Sequence, residues 1–65
     1  MNLIESIQAE QNRVRELLKQ YEAIGPSGAF GAMILKQAIQ RGDKAVASGD
    51  VVAMLAAHVE LKECE

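Results

Sequence analysis

The stretch whose residue types and spacing could bind something is Gly25-Pro26-Ser27-Gly28-Ala29-Phe30-Gly31-Ala32. Its three glycines surround a predicted helix start, where unsatisfied backbone N–H groups and the positive end of the helix dipole favour a phosphate or carboxylate. Glycine at 28 and 31 also lets a ligand, or another backbone, come close. The candidate contacts from the turn itself are Ser27, Gly28, Ala29, Phe30 and Gly31, with Lys19 and Tyr21 about a turn before it. A last helix that folds back would bring His58 and Lys62 to the same end. Together these groups offer backbone donors, an aromatic face and one or two cations, an inventory that suits a nucleotide-like anion. The same segment also reads as a tight interhelical turn whose small residues serve packing. Neither GxxxxGK[ST] nor GxGxxG occurs and no strand precedes the turn, so neither a P-loop nor a dinucleotide fold is supported.

Other chemistry is poorly supplied. His58 and Cys64 stand six residues apart on the last predicted helix, on different sides of it, and cannot form a nucleophile–base pair within one chain. With one histidine and one cysteine there is no ligand set for zinc and no disulfide framework. Glu5, Glu10, Glu16 and Glu22 alternate with Arg13, Arg15 and Lys19, the pattern of a solvated helix face. Arg41-Gly42-Asp43 matches an adhesion tripeptide, but inside a predicted helix the match is chance. The expectation is a protein without catalytic residues, metal or cofactor, and not an enzyme.

Three helices must position the turn. Ile4, Ile7, Val14, Leu18 and Tyr21 share one helical face, which predicts a first helix over residues 2 to about 24. Gln11 interrupts that seam between Ile7 and Val14, where a lone polar group commonly fixes the register or number of partner helices. Gly25 suits the left-handed position after the helix, Pro26 blocks its continuation, and Ser27 is the expected N-cap of the next helix. The second helix is expected over about 28–48, continuous through Gly42-Asp43, and antiparallel to the first. Gly49 then ends it and Asp50 caps a third helix over about 51–63, whose apolar arc is too broad for a solvated helix. The expected architecture is one helical domain over 1–65: a long antiparallel hairpin plus a shorter third helix.

Size and charge bound the partners. A core built from 65 residues rarely leaves a surplus above about 3–5 kcal/mol, so a further staple is expected. With disulfide and metal excluded, assembly as a homo-oligomeric helical bundle is the staple that remains. Seven basic against nine acidic side chains give a net charge of −2, which argues against a nucleic acid polymer as partner. The apolar runs Ala29–Leu35 and Val51–Ala57 fall far short of the ~20 residues of a membrane span. The first residues show no basic region followed by an apolar one, so no secretory signal is expected. These features fit a cytoplasmic protein with a reduced thiol.

Three segments carry a resemblance: Ala9 to Leu18 (AEQNRVRELL), Ile24 to Ile34 (IGPSGAFGAMI) and Ala47 to Met54 (ASGDVVAM). They resemble a family of very small helical accessory proteins encoded in bacteriophage and prophage genomes, whose biochemical role is unassigned. The resemblance implies a phage accessory protein in the cytoplasm of a bacterial host cell, acting on host machinery, immune signalling included, by binding rather than catalysis. The resulting expectation is a non-enzymatic protein that counters host defence by sequestering a phosphate-containing nucleotide signal at the glycine turn. The alternative is an inhibitor or adaptor that sets its apolar helix face against a host protein.

Overall fold

The computed structural model describes residues 2–65. The fold is all-α: α1 (Leu3–Ala23), a single 3-10 turn (Gly25–Gly28), α2 (Ala29–Ser48) and α3 (Val51–Glu63), with no strand among the described residues. Each boundary has a local chemical cause. The Asn2 side chain accepts the Glu5 N–H at 2.8 Å and opens α1. Gly25 ends it at φ 79°, a left-handed conformation open to glycine at no steric cost. Gly49 does the same for α2 at φ 70°. Asp50 then caps α3 by accepting the N–H groups of Val52 and Ala53 at 2.9 and 3.4 Å.

Ser27 departs from the expectation. The chain turns tightly through Gly25–Gly28, so Gly28 takes the N-cap position of α2 without any side-chain hydrogen bond. The Ser27 hydroxyl points back to the Ile24 carbonyl at 3.5 Å. Proline locks φ near −65°, which suits the first residues of such a turn, and a serine inside the turn is one position too early to cap α2.

α1 and α2 run antiparallel, and α3 returns beside both, so that each helix packs on the other two. The core is Ile7 and Val14 from α1, Leu35, Ala38, Ile39 and Ala45 from α2, and Met54, Ala57 and Leu61 from α3. α1, 21 residues at about 1.5 Å each, accounts for most of the 36 Å length of the body.

Gln11 sits inside this core at 3% exposure. Its amide nitrogen donates to the Ile39 carbonyl and to Asp43 Oδ1, both at 2.9 Å. The space comes from Gly42, where a Cβ would stand 2.6 Å from Gln11 Nε2. The polar residue in the α1 seam is therefore spent within one chain, locking α1 to α2, and is not free to set the register of a partner helix. α2 runs unbroken through Gly42-Asp43 because both residues have a packing role there.

Candidate functional site

The glycine turn is filled by α1. Gly28 is buried, and a Cβ there would collide with the Tyr21 carbonyl oxygen and come within 2.7 Å of Ile24 Cγ1. A Cβ on Gly31 would collide with the Tyr21 ring, which lies in the space that glycine leaves. The Tyr21 hydroxyl donates to the backbone oxygen of Glu65, so one side chain joins α1, α2 and the segment after α3. Arg13 reinforces the junction by donating to the carbonyls of Leu61 (2.8 Å) and Cys64 (3.0 Å) where α3 ends; the Leu61 carbonyl also accepts the Cys64 N–H at 3.2 Å.

Two hollows flank the turn. The first, about 330 Å³, lies beside Tyr21, Gly31 and Leu35 and is lined on its α3 side by Glu60, Glu63, Cys64 and Glu65. Three carboxylates and no cation give it the wrong sign for an anion. The second, about 630 Å³, opens on the other side among Gly25, Pro26, Ala29, Met33 and Lys36. Its cation, Lys36, stands 3.3 Å from Glu22, which lines the same hollow.

The residues singled out from the sequence do not converge. Tyr21 and Gly31 face the first hollow and Ala29 the second. Gly28 is closed off by backbone, Ser27 faces Ile24, and Lys19 pairs with Glu16 at 3.1 Å on the outer side of α1. Phe30 projects into solvent, 70% exposed. His58 and Lys62 line neither hollow, contrary to expectation. α3 turns Met54, Ala57 and Leu61 inward, and the side chains that reach the turn end come from Glu63–Glu65. His58, half-buried, is rotated to the rim of that inward stripe, and Lys62 lies beyond it in solvent.

Cys64 is a free, half-buried thiol. Burial first, then the neighbouring Glu60 carboxylate, pushes its thiol above the ordinary value, and Arg13 offsets only part of this. The thiol donates to the Glu60 carbonyl at 3.4 Å. No group of three or more His, Cys, Asp or Glu able to hold a metal occurs among the described residues. None of the helices is long and apolar enough to cross a membrane.

The unusual surface is apolar. α3 exposes Val51, Val52, Leu55 and Val59, with Val52 at 75%. The start of α2 exposes Phe30, Met33 and Ile34, with Ile24 just before the turn. The α3 surplus was readable from its broad apolar arc. The second patch was missed, although its signal is present: Phe30, Met33 and Ile34 follow 3-4 spacing out of phase with the buried stripe Leu35, Ala38, Ile39 and Gly42.

What the fold defines is a short three-helix protein with two apolar outer faces. No protein-family model matches the chain, and no curated protein or solved structure does either.

Proposed function

We propose that the chain is a non-enzymatic accessory protein that works as a homo-oligomer and binds a host protein through the Phe30 face of α2, as its phage-like sequence character suggests. The observation that carries this reading is Phe30, a large ring 70% exposed, with Met33 and Ile34 beside it on the same helical face. Leaving such a ring in water forgoes about 1.5–3 kcal/mol, a large share of what a chain this short can spare. An apolar triad at i, i+3 and i+4 is the anchor pattern by which a helix lies in a partner's groove. The test is capture of bacterial lysate proteins on immobilised wild type, Phe30→Ala and Ile34→Ala, with the bound protein identified and its affinity remeasured from purified material. The reading expects a protein that both substitutions release. A bound protein indifferent to both, or none at all, refutes it.

Sequestration of a phosphate-containing nucleotide signal is the second reading. It is favoured by the hollow of about 630 Å³ at the glycine turn, within the size range of small-molecule sites, with Lys36 on its wall. A thermal-shift screen against signalling nucleotides decides it. Stabilisation lost in Lys36→Ala supports the reading, and no stabilisation by any nucleotide ends it.

A further inference from the structure

We propose that the hollow of about 330 Å³ between the start of α2 and the end of α3 receives a long basic side chain from the protein that docks on the Phe30 face. The inference rests on the reading of that face as a protein-binding surface, and it names the chemistry of the partner. Ile34 joins the two features, because it is exposed beside Phe30 and also lines the hollow. A partner lying across Phe30 and Ile34 passes over the mouth of the hollow. At this volume the hollow stands at the small end of ligand sites, with room for a single side chain.

Hydrogen-bond polarity and charge select the occupant independently. The Tyr21 hydroxyl donates to the backbone oxygen of Glu65 and the Cys64 thiol to the Glu60 carbonyl, so both side-chain hydrogens of this kind on the wall are spent within the chain. The acceptors are not. Glu63 and Glu65 are exposed, and neither forms an ion pair among the described residues. Glu60, the third carboxylate on the wall, is held by Arg41 at 2.7 Å, and Arg13 is engaged with Glu10 and with the carbonyls of Leu61 and Cys64. α3 also ends here, and the carbonyl end of a helix favours a positive charge. A matching group must therefore bring donors and a positive charge, whereas a phosphate or carboxylate brings acceptors and the sign of the rim. The floor requires hydrocarbon as well. Ile34, Leu35 and Ala38 carry no polar side-chain atom, and the Tyr21 ring adds an aromatic wall. A basic side chain lays its aliphatic stem on such a surface and keeps its charged head at the rim.

The probe is n-butylammonium, the lysine side chain without its backbone, titrated into the full chain to about 50 mM, the range in which so small a cation binds. Amide NMR spectra locate it, with n-butanol and butyrate as neutral and anionic controls of the same stem. The expected result is saturable movement of the amides of Gly31, Ile34, Leu35 and Glu63–Glu65 with the cation, weaker movement with the alcohol and none there with the acid. Glu63→Gln combined with Glu65→Gln keeps the backbone oxygen that Tyr21 holds, so the fold is retained. It should weaken the cation about three- to tenfold, and added salt should bring wild type towards the same value. No saturable movement at these amides overturns the proposal. So does n-butanol binding as well as the cation, or a double variant that binds like wild type. The Phe30 reading is tested apart from this. A host protein released by Phe30→Ala but indifferent to the two glutamines leaves that reading standing and removes the basic anchor, whereas cation binding without any captured protein does the opposite.

Discussion

Gly42→Ala tests the packing at the centre of the fold. In an exposed helix this substitution stabilises by about 1 kcal/mol through helix propensity. Here the new methyl would stand 2.6 Å from Gln11 Nε2, 3.3 Å from its Cδ and 3.4 Å from Leu61 Cδ1. The amide must move by most of an ångström, and at 3% exposure it has no solvent to move into. Displacing it breaks its bonds to Ile39 and Asp43, which for a buried polar group costs about 1–3 kcal/mol. Overpacking adds about 1–3 kcal/mol, so after the propensity gain the net loss is about 1–5 kcal/mol. For a domain of this size each kilocalorie moves Tm by roughly 4–8 °C. Thermal and urea unfolding followed by far-UV circular dichroism, at one fixed protein concentration, measures it. The companion variant is Gln11→Ala in the Gly42→Ala background. Removing the amide removes the collision, so the double variant should be more stable than Gly42→Ala alone, with a coupling above about 1 kcal/mol between the two sites. A Gly42→Ala protein more stable than wild type would refute the reasoning. It would mean that Gln11 is free to leave the core, as a register residue facing another chain would be.

Further tests address the caps and the thiol. Asp50→Ala should cost about 0.5–2 kcal/mol, the range for losing an N-cap side chain, while Asp50→Asn should restore most of it; equal unfolding midpoints for wild type and Asp50→Ala would show that the cap contributes nothing. Arg13→Ala should free the end of α3, seen as faster amide exchange at residues 61–65 than in the middle of α3. Arg13→Lys should not restore protection, because a single ammonium cannot span the Leu61 and Cys64 carbonyls as the guanidinium fork does. Cys64 should react with a thiol-directed disulfide reagent more slowly in the folded chain than in urea. Its rate should rise with a midpoint above that of the unfolded thiol, since the folded thiol holds its proton more tightly. The sign carries into stability: the raised thiol favours the fold at pH below the ordinary thiol value, and that contribution is lost as pH climbs through the raised one. Coincident midpoints in the two states would contradict it.

The helices were legible because their punctuation is chemically unambiguous. Gly25 and Gly49 adopt the left-handed conformation that few other residues tolerate, and Asp50 caps the helix after it. Capping preference alone favours Ser27, but Pro26 sits inside a 3-10 turn over Gly25–Gly28 that passes the N-cap to Gly28. The candidate site residues do not converge, for a related reason. Composition counts glycines but does not say whether the space they leave is empty, and here the Tyr21 carbonyl fills one gap and its ring the other. His58 and Lys62 were placed by the direction of α3 alone. Whether a residue reaches a neighbour depends equally on rotation about the helix axis, and α3 offers no polar face from which that rotation could be read. Gln11 reads from the sequence as a register residue for partner helices, but its bonding partners, Ile39 and Asp43, lie within the chain 28 and 32 residues away and no local pattern announces them.

The distribution of side-chain volume in α3 gives the strongest reason to look outward for function. A helix that serves only its own core puts its large aliphatic side chains inside and its small or polar ones outside. α3 does close to the reverse: its inner side includes Ala53 and Ala57 beside Met54 and Leu61, and its outer side presents Val51, Val52, Leu55 and Val59. The small inner residues leave a hollow of about 570 Å³ between α3 and Ala45 of α2, bordered by the Arg41–Glu60 ion pair at 2.7 Å. The buried Gln11 node supplies directional bonds where the core is short of bulk. Such an arrangement separates two tasks. Hydrogen bonds that tolerate little displacement fix the three helices relative to one another, and apolar surface that would otherwise stabilise the monomer is held on the outside, where burying it requires a second molecule.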